Sequence, residues 1–228
     1  MAAPPAWCSP ARRWSRTGCI APVAAMCWTS WRAWNGWRRL DRTATAMTDD
    51  EVIAATRSWI ERAVIGLNLC PFAQSVYLNQ QVRFVVSQAR HLDGLLEDLD
   101  RELLLLADAD PAQIDTTLLI HPTLLPDFLD FNEFMMLAEE AVLEHDLEGV
   151  IQVASFHPRF QFADSAPDDI ANYTNRAPFP TIHLIREASL ERALAHFPDP
   201  DAIYRRNIET LRGLGLAGWL ALGLPTPD

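Results

Sequence analysis

The 228-residue sequence contains no lysine, and it has no apolar stretch near the ~20 residues a membrane span requires, so a membrane-crossing helix is not expected. Positive charge is scarce beyond Met47, where twelve arginines stand against 29 acidic residues. That part carries a net charge of −17 and repels phosphate backbones, which argues against nucleic acid as a partner. Cysteine is scarcer still. Cys70 alone lies beyond Met47, so no disulfide can form within that part, no oxidising compartment is needed, and a cytoplasmic location is expected. Also missing are Walker and GxSxG patterns, which removes the usual fingerprints of P-loop nucleotide binding and of α/β-hydrolases.

What the acidic part lacks is concentrated before it. Residues 1–46 hold seven arginines, one acid, six of the eight tryptophans and three of the four cysteines, for a net charge of +6. Trp28, Trp31, Trp34 and Trp37 recur at steps of three, interleaved with Arg32, Arg38 and Arg39. An interfacial helix on anionic lipid is one reading. However, steps of three precess by roughly 60° per repeat and smear the stripe across half a helix. A disordered extension, or upstream sequence translated from a misplaced start, is the expected alternative, with no membrane association. Thr48-Asp49-Asp50-Glu51, directly after Met47, is a capping box opening an amphipathic run. A single domain over residues 47–228 is therefore expected.

Within it, apolar spacing predicts a helix over about Asp49–Leu67, broken by Pro71. Strands are predicted at Val82–Val86, Thr116–Ile120, Val150–Phe156 and Thr181–Ile185. Helices carrying Leu92 to Leu106 and Phe128 to Val142 separate the first three strands, and two more helices, with Ser189 and Asp199 as caps, close the chain. Strand, helix, strand, helix, strand implies two right-handed crossovers and three parallel strands. The fourth strand follows a long loop without a crossover helix and is expected to be antiparallel. The fold class is α/β, a four-stranded mixed, mainly parallel sheet covered by helices.

Two histidines stand out. His121 and His157 each follow a predicted strand and precede a proline, which holds the backbone extended. Parallel strands would bring both to the carboxyl rim, where open α/β sheets place ligands. They are candidates for acid–base catalysis, or with a carboxylate such as Asp168 for a divalent metal site. Alternatively, each merely bonds to a loop carbonyl. The loop from Arg159 to Pro180 is long enough to act as a lid. Arg176 could fork onto an anionic group, with Asn172, Asn175, Asp168 and Asp169 beside it; a salt bridge to Asp168 or Asp169 is the structural alternative. Cys70, in Asn-Leu-Cys-Pro-Phe, is a third candidate, weighed against a buried structural role because it is predicted to end a helix, where the dipole disfavours a thiolate. His183 lies inside a predicted strand and reads as a satisfied sheet histidine.

The segments ERAVIGLNLCPFA, TTLLIHP, GVIQVASFHP, APDDIANYTNRAPFPTIHLIREAS and FPDPDAIYRRNIETLRGLG resemble a bacterial family of uncharacterised proteins, domain of unknown function 1415. The likeness spans about Thr48 to Trp219. It implies no activity, and no residue role is carried over from it. The sequence thus points to a small-molecule enzyme acting on an anionic substrate at the carboxyl rim, or to a non-catalytic ligand- or partner-binding module using the same pocket. It specifies neither cofactor nor oligomeric state.

Overall fold

The computed structural model describes residues 47–195, 199 and 201–224, so the extension expected over residues 1–46 lies outside the described residues. The first helix, α1 (Asp49–Trp59), opens on the predicted capping box: the Thr48 hydroxyl accepts from the Glu51 N–H, and the Glu51 carboxylate accepts from the Thr48 N–H at 2.8 Å. It runs on as a π-helical segment, Ile60–Ile65. The helical path ends at Asn68 (φ 53°), three residues before Pro71, because asparagine tolerates the left-handed conformation that closes a helix.

The remaining elements follow in order: α2 (Ala73–Leu78), β1 (Val82–Val86), α3 (Leu92–Asp108), β2 (Thr116–Ile120), α4 (Phe128–Glu144), β3 (Ile151–Phe156), a 3₁₀ turn (Ile170–Thr174), β4 (Thr181–Arg186), α5 (Glu187–Leu194) and α6 (Asp201–Ala221). The short α2 was not expected. Helix α5 begins two residues before Ser189, whose hydroxyl bonds to Asp115 instead of capping the helix. Gly215 (φ 64°, ψ 173°) interrupts α6.

The sheet is mixed, in the order β1-β2-β4-β3. β1 and β2 are parallel, and β4 is antiparallel to both β2 and β3. β1, β2 and β3 therefore run the same way as predicted, but β4 is inserted between β2 and β3, so the three are not contiguous. Side-chain alternation divides the core. Leu119, Ile182, Leu184, Ile151 and Val153 face Leu95, Leu99 and Leu103 of α3 and Phe131, Phe134 and Ala138 of α4. Leu118 and Ile120 face the other way, onto Val52 and Trp59 of α1, Ile60, and Leu211 and Trp219 of α6. On the α3 side the nearly inaccessible Glu102 is neutralised by a two-pronged contact with Arg83 at 2.7 and 3.0 Å, as a buried carboxylate requires.

This layering bears on where a ligand can enter. Both crossover helices pack on one face, and the two crossovers step in the same direction. They do not diverge to open the crevice that draws ligands to the carboxyl rim of doubly wound sheets. β4 fills the gap between β2 and β3.

Candidate functional site

At the carboxyl rim, His121 and His157 leave strands of the same direction with β4 between them, a spacing of roughly 10 Å along the sheet. Both are buried, and each repeats one bonding pattern. His121 Nδ1 accepts from the Leu124 N–H at 2.7 Å, and its Nε2 donates to the Ala89 carbonyl at 3.0 Å. His157 Nδ1 accepts from the Arg159 N–H at 3.0 Å, and its Nε2 donates to the Leu125 carbonyl at 3.0 Å. Each ring folds over its own His-Pro turn and ties it to the loop after the neighbouring same-direction strand. A ring that accepts at one nitrogen and donates at the other is neutral, and burial holds both below the ordinary histidine pKa. The rings of Phe128 and Phe131 flank His157 at centroid distances of 5.5 and 5.1 Å.

The long loop after β3 is equally committed. Arg176 donates from Nε to the Phe160 carbonyl (3.2 Å) and from Nη2 to the Pro167 carbonyl (2.7 Å), while its guanidinium stacks 4.2 Å from the Tyr173 centroid. It pins its own loop, as the structural alternative held, but through carbonyls and a ring where a salt bridge was expected. Asn172 is fully buried: its Oδ1 accepts from Phe162 N–H and Ser165 Oγ, and its Nδ2 donates to the Ala166 carbonyl. Asp169 caps the 3₁₀ turn through the Ala171 N–H, and Asp168 is exposed. Asn175 donates to the Ser155 carbonyl at 3.3 Å. Among the described residues no three histidine, cysteine or acidic side chains cluster so as to hold a metal ion.

Cys70 requires a correction. It does not end a helix but precedes one, α2, and the nearby Phe72 and Ala73 N–H groups favour its thiolate. Burial is the larger influence and pushes the thiol pKa up, so Cys70 is a neutral thiol at ordinary pH.

Cys70 lines a cavity of about 600 Å³ on the α1/α6 face of the sheet. Leu118, Ala154 and His183 form its floor, and Trp59, Phe72, Tyr77 and Leu190 lie along its walls. The exposed Arg192 marks its surface end; the buried Asn175 and Asn207 mark its inner end. It runs along the sheet face from the first residues of β1 and β2, Val82 and Thr116, to Phe156 at the end of β3. Of the residues singled out from the sequence, Cys70 and Asn175 reach this cavity, whereas His121, His157, Arg176, Asn172, Asp168 and Asp169 do not.

Two further residues line the cavity: His183, expected from the sequence to be a satisfied sheet histidine, and Asn207, which the sequence had not singled out. His183 Nε2 lies 2.7 Å from Thr116 Oγ1, which is itself 2.6 Å from the Leu184 carbonyl. Burial lowers the His183 pKa to about 4. Asn207 is 1% exposed; its Nδ2 donates to the Leu69 carbonyl at 2.7 Å, and its Oδ1 meets no donor among the described residues. The signal for Asn207 was available, since it is the one polar member of the buried stripe Ile203–Asn207–Leu211.

Fold and cavity together define an α/β domain with a mixed sheet between helical layers and an apolar pocket on one sheet face. The chain matches the family described as "Protein of unknown function (DUF1415)" over residues 51–221, and it belongs to that family. No curated protein and no solved structure matches it. Among the described residues no helix is long and apolar enough to cross a membrane.

Proposed function

We propose that this domain binds a small, mainly apolar molecule in the cavity beneath α1 and α2. The carrying observation is the cavity itself: about 600 Å³, walled by aromatic and aliphatic side chains, with a few polar groups at its floor and inner end. Pockets of ~300–1,000 Å³ with this lining are the usual form of small-molecule sites. A paired-histidine enzyme acting on an anion at the carboxyl rim finds less support. It would require His121, His157 and Arg176 to abandon backbone partners that already satisfy them. Leaving those carbonyls and N–H groups unpaired would cost about 1–3 kcal/mol each.

Titration of the full-length chain with Prodan, a neutral fluorophore without hydrogen-bond donors, tests the reading. Saturable one-site binding with a blue-shifted emission is expected. Ala154→Leu, which projects extra side chain from the cavity floor, should weaken binding about tenfold or more while the unfolding temperature holds or rises. No saturable binding, or equal binding by the filled variant, would rule the cavity out.

A further inference from the structure

The bonding inside the cavity narrows the ligand class, given that the cavity is the binding site. Leu184's carbonyl can only accept, so the Thr116 hydroxyl spends its proton there. Its oxygen is then left to accept from His183 Nε2–H, at 2.7 Å. The ring is thereby held in one neutral tautomer, with a lone pair on Nδ1 that has no partner among the described residues, in a side chain forming the cavity floor. Asn207 repeats the logic in the cavity wall. Leu69's carbonyl takes its amide N–H, which fixes the flip and leaves Oδ1 as a buried acceptor without a donor. The inner donors are largely engaged: one Asn175 Nδ2–H with the Ser155 carbonyl, and the Thr174 hydroxyl with the Ala171 carbonyl.

We infer that the cavity selects a neutral ligand that carries an N–H or O–H donor on an apolar body, such as a primary amide or an alcohol, and discriminates against carboxylates. Two backbone-fixed acceptors in an apolar enclosure leave a donor-free ligand with unsatisfied polar groups in the wall. A carboxylate faces lone pairs there and is desolvated besides. Specificity built on a buried hydrogen-bonding group is the kind that discriminates strongly, because the analogue lacking the group leaves the protein unpaired.

Three molecules with one alkyl chain form the test: octanamide, N,N-dimethyloctanamide and octanoate, each competing with Prodan on the full-length chain. Octanamide should displace the dye at a concentration about tenfold lower than the dimethyl amide, and octanoate should be the weakest. In His183→Phe and Asn207→Leu the ratio of octanamide to dimethyl amide affinity should shrink toward one, and an undiminished ratio in both would overturn the inference. Equal displacement by both amides, or octanoate as the best competitor, would overturn the inference and leave the cavity reading standing. Absence of Prodan binding in the first place would overturn both. Because the wild-type comparison can overturn the inference without the variants, a variant that fails to fold does not rescue the proposal.

Discussion

The carboxyl rim and one face of the sheet carry histidines under opposite constraints. At the carboxyl rim, His121 and His157 use both ring nitrogens on backbone groups of neighbouring turns. On the cavity face, His183 uses one nitrogen on Thr116 and keeps the other. All three are held neutral by burial. Burial and a depressed pKa therefore do not separate a histidine with both nitrogens engaged from one with a nitrogen to spare. The count of hydrogen-bond partners does.

The largest expected effect lies at the rim. His157→Ala removes a ring packed between two phenylalanines and leaves the Leu125 carbonyl and the Arg159 N–H unpaired. A loss of about 3–4 kcal/mol of stability is expected by chemical denaturation, with Prodan binding unchanged wherever the variant is folded. A stable variant that lost ligand binding would reverse the roles assigned to the two regions.

Acidification comes next. For each of the three histidines the folded-state pKa is depressed, so the unfolded chain binds more protons. Stability is thus complete above the ordinary histidine pKa near ~6.5 and falls as the pH drops below it. The His183 contribution stops changing near its folded pKa of about 4. That residue alone accounts for a loss on the order of 3 kcal/mol at most. Denaturant midpoints measured between these limits should slope less in His183→Phe than in the wild type; an unchanged slope would show that His183 is not held neutral.

Arg176→Ala should cost about 1–2 kcal/mol through its two carbonyls and the Tyr173 stack. Thermal shifts with inorganic phosphate and acetate should be the same in wild type and variant. A wild-type stabilisation that disappears in the variant would restore the anion-clamp role. The smallest effect concerns Cys70: with its pKa raised, it should react with iodoacetamide several-fold more slowly than a free thiol at neutral pH, and octanamide should slow it further. Peptide mapping of the full chain reads this position separately from the other cysteines, and labelling that octanamide leaves unchanged would remove Cys70 from the occupied part of the cavity.

Local signals carried much of the fold. The capping box at Thr48, the β-branched strands and the leucine periodicity of α3 are written in adjacent residues, and each appears where the pattern put it. Even the antiparallel sense of β4 followed from its missing crossover. Its insertion between β2 and β3 did not, because pairing order is decided by tertiary contacts. Helix α2 escaped notice because six residues are too few to display a period, although Pro71 suits the turn leading into a helix. The site was harder to read. A histidine before proline invites a functional assignment, while the free nitrogen of His183 depends on a hydroxyl 67 residues away in sequence. No local pattern encodes that contact.

The contrast between the pinned and the open histidines is most directly measured by nitrogen NMR of the imidazoles in the full-length chain. At neutral pH, His121, His157 and His183 should all appear as the neutral tautomer protonated at Nε2. Addition of octanamide should move the Nδ1 resonance of His183 alone. A response at His121 or His157, to octanamide or to octanoate, with His183 silent, would contradict the account and return the binding site to the carboxyl rim.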